Sequence, residues 1–155
     1  MRRSIVTLVT LAVTLGLMVP VSAGQTKNFR AHLSGGQEVP AVDSGGQGQA
    51  IFKVDGDQIH FKLITANLDE ITQAHIHCGA AGDNRPPAVF LFPFVAEGVS
   101  NNGVLNSGTF TADDFTGLCD YEDIDDLIEA MASGNAYVNV HTLDFAGGEI
   151  RGQIR

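Results

Sequence analysis

Residues 49–63 read QAIFKVDGDQIHFKL, and their pattern decides the fold class. Apolar and polar side chains largely alternate on both sides of an interruption at Asp55, Gly56 and Asp57. Such alternation is the period of a strand with one buried face, and an Asp-Gly pair tolerates the positive φ of a tight hairpin turn. The stretch therefore predicts two antiparallel strands joined by a hairpin. Its apolar face consists of Ala50, Phe52, Val54, Ile59, Phe61 and Leu63.

Further short apolar segments, separated by Gly, Asn, Asp and Pro, lie on both sides of this hairpin. They predict strands over residues 27–33, 71–77, 88–94, 104–110, 135–141 and 148–154. Between residues 121 and 132 the apolar period becomes helical, and Gly134 lies where a helix C-cap is expected. The sequence therefore predicts an all-β fold: a Greek-key β-sandwich or barrel of about eight antiparallel strands, with one short helix near residues 121–132.

The N-terminal residues have the pattern of an export signal. Arg2 and Arg3 precede an apolar run over residues 5–19, Pro20 breaks it, and Ala23 ends a stretch of small residues. This order predicts a cleavable signal peptide over residues 1–23 and a single domain over residues 24–155. We expect a secreted or periplasmic protein with no membrane span after cleavage. The alternative is a membrane anchor that is retained.

The predicted mature domain is strongly acidic. Cleavage after Ala23 would leave seven of the nine basic residues against eighteen acidic ones. A surface of this charge repels nucleic acid and anionic lipid, so neither is expected as a partner.

The chain has two cysteines, Cys78 and Cys119. In an exported protein the simplest expectation is a disulfide between them, and the alternative is two buried free thiols. Because Cys78 directly follows His77, a blue-copper site with Met131 as a weak ligand is a third possibility.

Three histidines form the sharpest chemical signal. His75 and His77 are two residues apart in a predicted strand, so both imidazoles point to the same face. His141 ends another predicted strand, in which Val138 and Val140 are expected to face the core. Neutral imidazole is a good ligand for copper and zinc, so the sequence predicts a metal site made of His75, His77 and His141. The alternative is that they make ordinary hydrogen bonds at the margin of a sheet.

Three other residues are weaker candidates for this site. His60 shares a strand face with Gln58 and Lys62, which indicates an exposed surface. Glu149 and Arg151 alternate on one face of the last predicted strand, where they are expected to form ion pairs that clamp the strand. In the functional alternative, Glu149 is a fourth ligand or an acceptor that orients an imidazole, and Arg151 guides anions.

Four segments of the chain together resemble the CHRD (chordin-type) domain. They are FRAHLSGGQEVP at residues 29–40, AHIH at 74–77, AYVNVHT at 136–142 and GGEIRGQI at 147–154. The resemblance spans essentially the whole predicted mature chain, in the order of the family. It implies a secreted domain, but the family brings little defined biochemistry with it.

A weaker resemblance is to the copper/zinc superoxide dismutases. In that family a His-x-His strand end precedes a Gly-containing loop, and a later Val-His supplies another copper ligand. His75, His77 and His141 match those positions, and a disulfide from Cys78 to Cys119 would match the one that ties a loop to the barrel. The zinc-binding cluster and a further His in the loop are missing here, so the resemblance implies a copper site without implying dismutase activity.

Three hypotheses about function follow from these observations. The first is a secreted CHRD-domain protein that binds a transition metal, copper more than zinc, through the three histidines. The second is a metal-free extracellular module that binds a protein or a surface polymer, or that serves as a structural unit. The third is a copper-only, dismutase-like enzyme, which the negative charge of the chain disfavours because superoxide is an anion.

Overall fold

The computed structural model describes residues 27–155, and the predicted signal peptide lies outside them. Residues 27–155 form seven strands, one α-helix and two 3-10 turns at Gly35–Gln37 and Ala112–Asp114. The strands are β1 (Asn28–Ser34), β2 (Gln47–Asp55), β3 (Gln58–Cys78), β4 (Pro87–Phe92), β5 (Val99–Phe110), β6 (Ala136–Thr142) and β7 (Ile150–Gln153). The helix α1 spans Ile124–Ser133.

The strands close into a barrel, and β3 makes the closure possible. The first part of this 21-residue strand pairs with β2 and β5, and its last part pairs with β6 and β4. On the far side, β6 pairs with β7, and β7 meets β1 where Ser34 lies opposite Arg151. Because β1 also pairs with β2, the sheet returns to its starting strand. All these pairings are antiparallel, so the predicted all-β barrel is confirmed.

The hairpin that fixed the fold class forms as predicted. Asp55 pairs with Gln58 across the turn, and Gly56 has a φ of 64°. The apolar face points inward, and Phe52, Ile59 and Leu63 are completely buried. The 2-residue period of the sequence thus places one face of this hairpin in the core.

The described residues form seven strands rather than about eight because two predicted strands are one. The residues between the predicted hairpin and the predicted strand at 71–77 do not separate two strands, because β3 continues through them with register shifts against β5. Asn67 and Glu70 have φ values of 55° and 52°, so each adopts a left-handed conformation without ending the strand. The predicted strand at 104–110 also begins earlier, at Val99.

The predicted helix exists but begins at Ile124 rather than at residue 121. The Asp123 carboxylate accepts a hydrogen bond from the backbone N–H of Asp126 at 3.1 Å, which caps the first turn. Gly134 ends the helix with a φ of 73°, as its position predicted. Leu127 and Met131 are completely buried, so the helix covers one side of the core.

Strand β6 is buried on both of its faces. Val138 and Val140 belong to the hydrophobic core, as predicted, whereas Tyr137, Asn139 and His141 lie on the other face. All seven residues of the strand are buried, so its polar face is covered by other parts of the protein. Among residues 27–155, no helix is long and apolar enough to cross a membrane.

Candidate metal centre

The antiparallel register of β3 and β6 brings three histidines onto one face of the sheet. His75 pairs with Asn139, and His77 pairs with Tyr137. Paired residues of antiparallel strands share a face, and His141 shares it because it lies two residues after Asn139. The ring centroid of His75 is 5.4 Å from that of His77 and 5.0 Å from that of His141. The structure thus brings together the three histidines that the sequence grouped.

The three imidazoles lie just below the surface. His75, His77 and His141 are 5%, 8% and 7% exposed. The ring of Phe90 packs edge-on against His75, with centroids 4.6 Å apart and an interplanar angle of 89°. Phe90 itself is 51% exposed, so its ring separates the cluster from solvent on one side.

Backbone carbonyls orient two of the imidazoles. Nδ1 of His77 is 2.7 Å from the carbonyl oxygen of Arg85, and Nδ1 of His141 is 2.9 Å from that of Ala146. A carbonyl oxygen only accepts, so each Nδ1 carries the proton and donates it. In a neutral ring the lone pair then lies on Nε2. Nε2 of His141 faces Nδ1 of His75 at 3.1 Å, so these two nitrogens meet inside the cluster.

The environment keeps the three imidazoles neutral. Burial, together with the neighbouring His141 and His77, lowers the pKa of His75 from 6.5 to about 3. Burial also lowers the pKa of His77 to about 4, although its hydrogen bond to Arg85 opposes this. The pKa of His141 is lowered by burial as well, against the effect of its bond to Ala146. Neutral rings keep the lone pairs that a metal ion needs.

Two buried nitrogens of the cluster lack hydrogen-bond partners. Nε2 of His75 and Nε2 of His77 make no hydrogen bond within the described part of the chain. Leaving such atoms unsatisfied is costly, so each of them lacks a partner that the described residues do not supply. One ligand nitrogen from each of the three histidines lies within 4.8 Å of the other two. At metal–nitrogen bonds of about 2.0–2.1 Å, the ligand nitrogens of a three-histidine metal site lie about 3.0–3.6 Å from one another, so the separations in this cluster reach somewhat beyond that range.

The structure does not bring His60 to the cluster. His60 lies in the part of β3 that pairs with β2 and β5, where its Nδ1 contacts Thr109 Oγ1 at 2.7 Å. Its side chain is 43% exposed and its Nε2 lies 3.7 Å from Asp55, consistent with the surface position expected from its neighbours.

Glu149 hydrogen-bonds to two hydroxyl groups rather than to an imidazole. One carboxylate oxygen accepts from the Ser44 hydroxyl at 2.6 Å, and the other accepts from the Thr142 hydroxyl at 2.8 Å. The first bond ties Glu149, the residue before β7, to the loop between β1 and β2, and the second ties it to the end of β6. Both oxygens therefore have partners other than an imidazole.

Arg151 is the largest completely buried polar side chain of the described residues, and it holds the loop at residues 79–86, in which the carbonyl of Arg85 contacts His77. Its guanidinium donates to the carbonyl oxygens of Ala80 and Asp83 and to Oδ1 of Asn84, at 2.9–3.1 Å. Its Cζ atom lies 3.4 Å from the ring centroid of Tyr137. Arg151 does clamp this part of the molecule, but it does so through backbone carbonyls and an aromatic ring rather than a bond to Glu149. At 1% exposure it does not present a charge to passing anions.

Glu38 is a functional candidate that the sequence did not reveal. It is 7% exposed, and its Oε1 accepts from Asn139 Nδ2 at 2.7 Å. Burial raises the pKa of Glu38 from 4.5 to about 7, although the charge of Arg151 and the Asn139 bond lower it. Glu38 lies in a polar loop without periodicity, 101 residues from its partner in the chain, so no local pattern could indicate its burial.

The disulfide predicted for the two cysteines is present. Cys78 and Cys119 are bonded, with their Cα atoms 6.1 Å apart. The free-thiol alternative and the blue-copper alternative are therefore wrong, because the sulfur of Cys78 is not available as a thiolate ligand. The bond anchors the start of the 79–86 loop directly after His77.

Fold and site together define an all-β barrel with one disulfide and a cluster of three buried histidines on the outer face of its sheet. A family model for the CHRD domain matches residues 29–154, nearly the whole chain. The chain therefore belongs to the CHRD-domain family, and the resemblance seen in the four motifs is confirmed. No curated protein and no solved structure matches the chain.

Proposed function

We propose that this CHRD-domain protein is exported and binds one transition-metal ion, copper in preference to zinc, through His75, His77 and His141. The observation that carries the proposal is the arrangement of the ring nitrogens. Two rings are held by backbone carbonyls so that Nε2 keeps the lone pair, and the buried Nε2 of one of them, His77, has no partner among residues 27–155. Metal-binding histidines are commonly oriented in this way by a hydrogen bond from the other ring nitrogen.

The type of ligand favours copper over zinc. Three neutral imidazoles without a thiolate suit both ions, and a given set of nitrogen ligands binds Cu²⁺ more tightly than Zn²⁺. Because the pKa values of His75 and His77 are lowered to about 3 and about 4, protons compete little with the metal at neutral pH.

Export is supported by two independent features. Residues 1–23 have the pattern of a cleavable signal peptide. The Cys78–Cys119 disulfide is of the kind that persists in an oxidising compartment. The periplasm or the extracellular space is therefore the proposed location.

Binding, storage or delivery of the metal fits the chain better than dismutase catalysis. The net charge is −9 for the full chain and becomes more negative once Arg2 and Arg3 are removed with the signal peptide, so it repels an anionic substrate such as superoxide. The sequence suggested Arg151 as a guide for anions, but the 79–86 loop encloses this residue.

Paramagnetic resonance of the copper-loaded protein tests the proposal. The metal-free exported protein is titrated with Cu²⁺, and the spectrum is compared with that of the triple variant His75→Ala, His77→Ala, His141→Ala. We expect a single defined signal with nitrogen splitting, which the triple variant loses. The matched control is His60→Ala, which removes an exposed histidine outside the cluster and should leave the signal unchanged. Equal spectra for the wild type and the triple variant would contradict the proposal.

A further inference from the structure

His75 differs from the other two histidines in the nitrogen that it turns into the cluster. His77 and His141 use Nδ1 to donate to carbonyl oxygens and keep Nε2 for the cluster. In His75 it is Nδ1 that faces His141 Nε2 at 3.1 Å. The Nε2 of His75 is buried and has no hydrogen-bond partner among residues 27–155.

Metal binding would therefore change the tautomer of His75. Because Nε2 of His141 carries a lone pair, Nδ1 of His75 must carry a proton to hydrogen-bond with it in the metal-free protein. A metal ion that binds both nitrogens needs the lone pair of Nδ1 as well. The proton of the neutral ring must then be on Nε2, which becomes a buried donor that needs an acceptor.

Asn139 offers such an acceptor on the facing strand. It is paired with His75 across β3 and β6, and it is 3% exposed. Its Nδ2 donates to Glu38 Oε1 at 2.7 Å, which directs the amide nitrogen toward the carboxylate. The other end of the amide, Oδ1, has no hydrogen-bond partner in the part of the chain that the structure describes. The side chains of a directly facing pair begin about 4.5–5.5 Å apart at Cβ. Nε2 of His75 and Oδ1 of Asn139 are not hydrogen-bonded to each other in this structure, so the bond would form only when a metal ion binds.

We propose that Asn139 and Glu38 are positioning residues for the metal: Glu38 fixes the amide of Asn139, and Asn139 Oδ1 accepts the Nε2 proton of His75, so that His75 binds through Nδ1. This inference rests on the proposed metal site and adds a mixed ligand set, with Nδ1 from His75 and Nε2 from His77 and His141. It also gives a role to two buried polar atoms, one on His75 and one on Asn139, that otherwise remain unsatisfied.

The packing around this pair supports a fixed geometry. Gly148 lies against both side chains, and a Cβ at that position would overlap Asn139 Nδ2 and lie 2.7 Å from Glu38 Oε1. Its φ of 126° is also one that side-chain-bearing residues rarely adopt. The backbone thus leaves just enough room for the carboxylate and the amide to meet.

Nitrogen-15 NMR of the histidine rings tests the inference, with Zn²⁺ as a diamagnetic probe. Two-bond proton–nitrogen spectra report which ring nitrogen carries the proton. In the wild-type protein we expect His75 to be protonated on Nδ1 without metal and on Nε2 with zinc. Asn139→Leu, which keeps the size but removes the acceptor, should weaken zinc binding about 10–100-fold.

A double variant separates this role from a merely structural one. Glu38→Gln with Asn139→Asp exchanges the amide and the carboxylate, keeps their hydrogen bond, and still presents an oxygen to His75. We expect it to recover zinc affinity to within about threefold of wild type, together with the Nε2-protonated His75. Two results would overturn this inference but not the proposed function. One is a zinc-bound wild type in which His75 is protonated on Nδ1. The other is an Asn139→Leu variant whose zinc affinity and His75 tautomer are unchanged. A wild-type protein that takes up neither zinc nor copper would overturn the proposed function as well.

Discussion

The imidazole of His77 lies flat against the phenol ring of Tyr137, with centroids 4.8 Å apart and planes 7° from parallel. Arg151 also packs on Tyr137, and it comes from β7 while His77 comes from β3, on the two sides of β6. Arg151 holds the 79–86 loop, and the carbonyl of Arg85 in that loop orients His77. Contacts therefore link the proposed ligand His77 to Arg151 through β6 and through the 79–86 loop.

Replacing Arg151 tests this connection. Arg151→Lys keeps the charge but loses the planar fork that reaches Ala80, Asp83 and Asn84. We expect the free energy of unfolding to fall by about 2 kcal/mol, as measured by urea denaturation, because several hydrogen bonds to a charged group are lost. Proteolysis within the 79–86 loop should also become faster. Arg30→Lys, at an exposed position, is the control and should change neither quantity.

Removing the disulfide should destabilise the fold strongly. Cys78 and Cys119 are 41 residues apart in the chain, and a cross-link over a loop of this size is worth about 4 kcal/mol on the chain-entropy model. Cys78→Ser with Cys119→Ser should therefore lower the midpoint of guanidinium denaturation. A reductant should produce a similar loss in the wild type and no loss in the double variant. Equal midpoints for wild type and double variant would argue against a stabilising role.

Acidification should destabilise the metal-free protein through the buried histidines. The folded-state pKa values of His75 and His77, about 3 and about 4, lie below the ordinary 6.5. Between pH 6.5 and pH 4 the unfolded chain binds protons that the folded state does not bind, so the free energy of unfolding falls as the pH falls. Urea titrations at several pH values in this window measure the slope. A stability that stays constant or rises on acidification would contradict the assignment of neutral, buried rings.

Glu38 should oppose this loss of stability on acidification. Its pKa is raised to about 7, so between pH 4.5 and pH 7 the folded state holds a proton that the unfolded chain has lost. The contribution of Glu38 to the free energy of unfolding is present at low pH and disappears as the pH rises through 7. This is the reverse of the histidine effect. Glu38→Gln should thus make the loss of stability on acidification steeper, in the same urea titrations. An unchanged slope would mean that Glu38 titrates normally.

The sequence predicted the parts of this molecule that depend on short-range periodicity. The 2-residue period placed His75 and His77 on one face, and the alternation of β6 placed His141 on the face opposite Val138 and Val140. The predicted Asp-Gly turn and Gly134 cap are also confirmed, because each depends on local backbone preferences.

What the sequence did not predict depends on distant contacts. Nothing near Asn67 or Glu70 indicates that β3 continues, since two non-glycine residues adopt positive φ there only in the context of the sheet. Glu38 and Arg151 are charged residues in polar surroundings, and burial of such residues is rare without partners from elsewhere in the chain. Those partners, Asn139 and the 79–86 loop, become neighbours only when the barrel closes.

The metal content of the exported protein tests the central claim most directly. The full chain is expressed without a histidine tag, the exported protein is purified, and copper and zinc are measured by elemental analysis beside the triple variant of His75, His77 and His141. We predict about one ion per chain, mainly copper, in the wild type and in His60→Ala, and a loss of that ion in the triple variant. No metal in the wild type even after loading, or the same content in the triple variant, would contradict the account and leave the domain as a metal-free extracellular module.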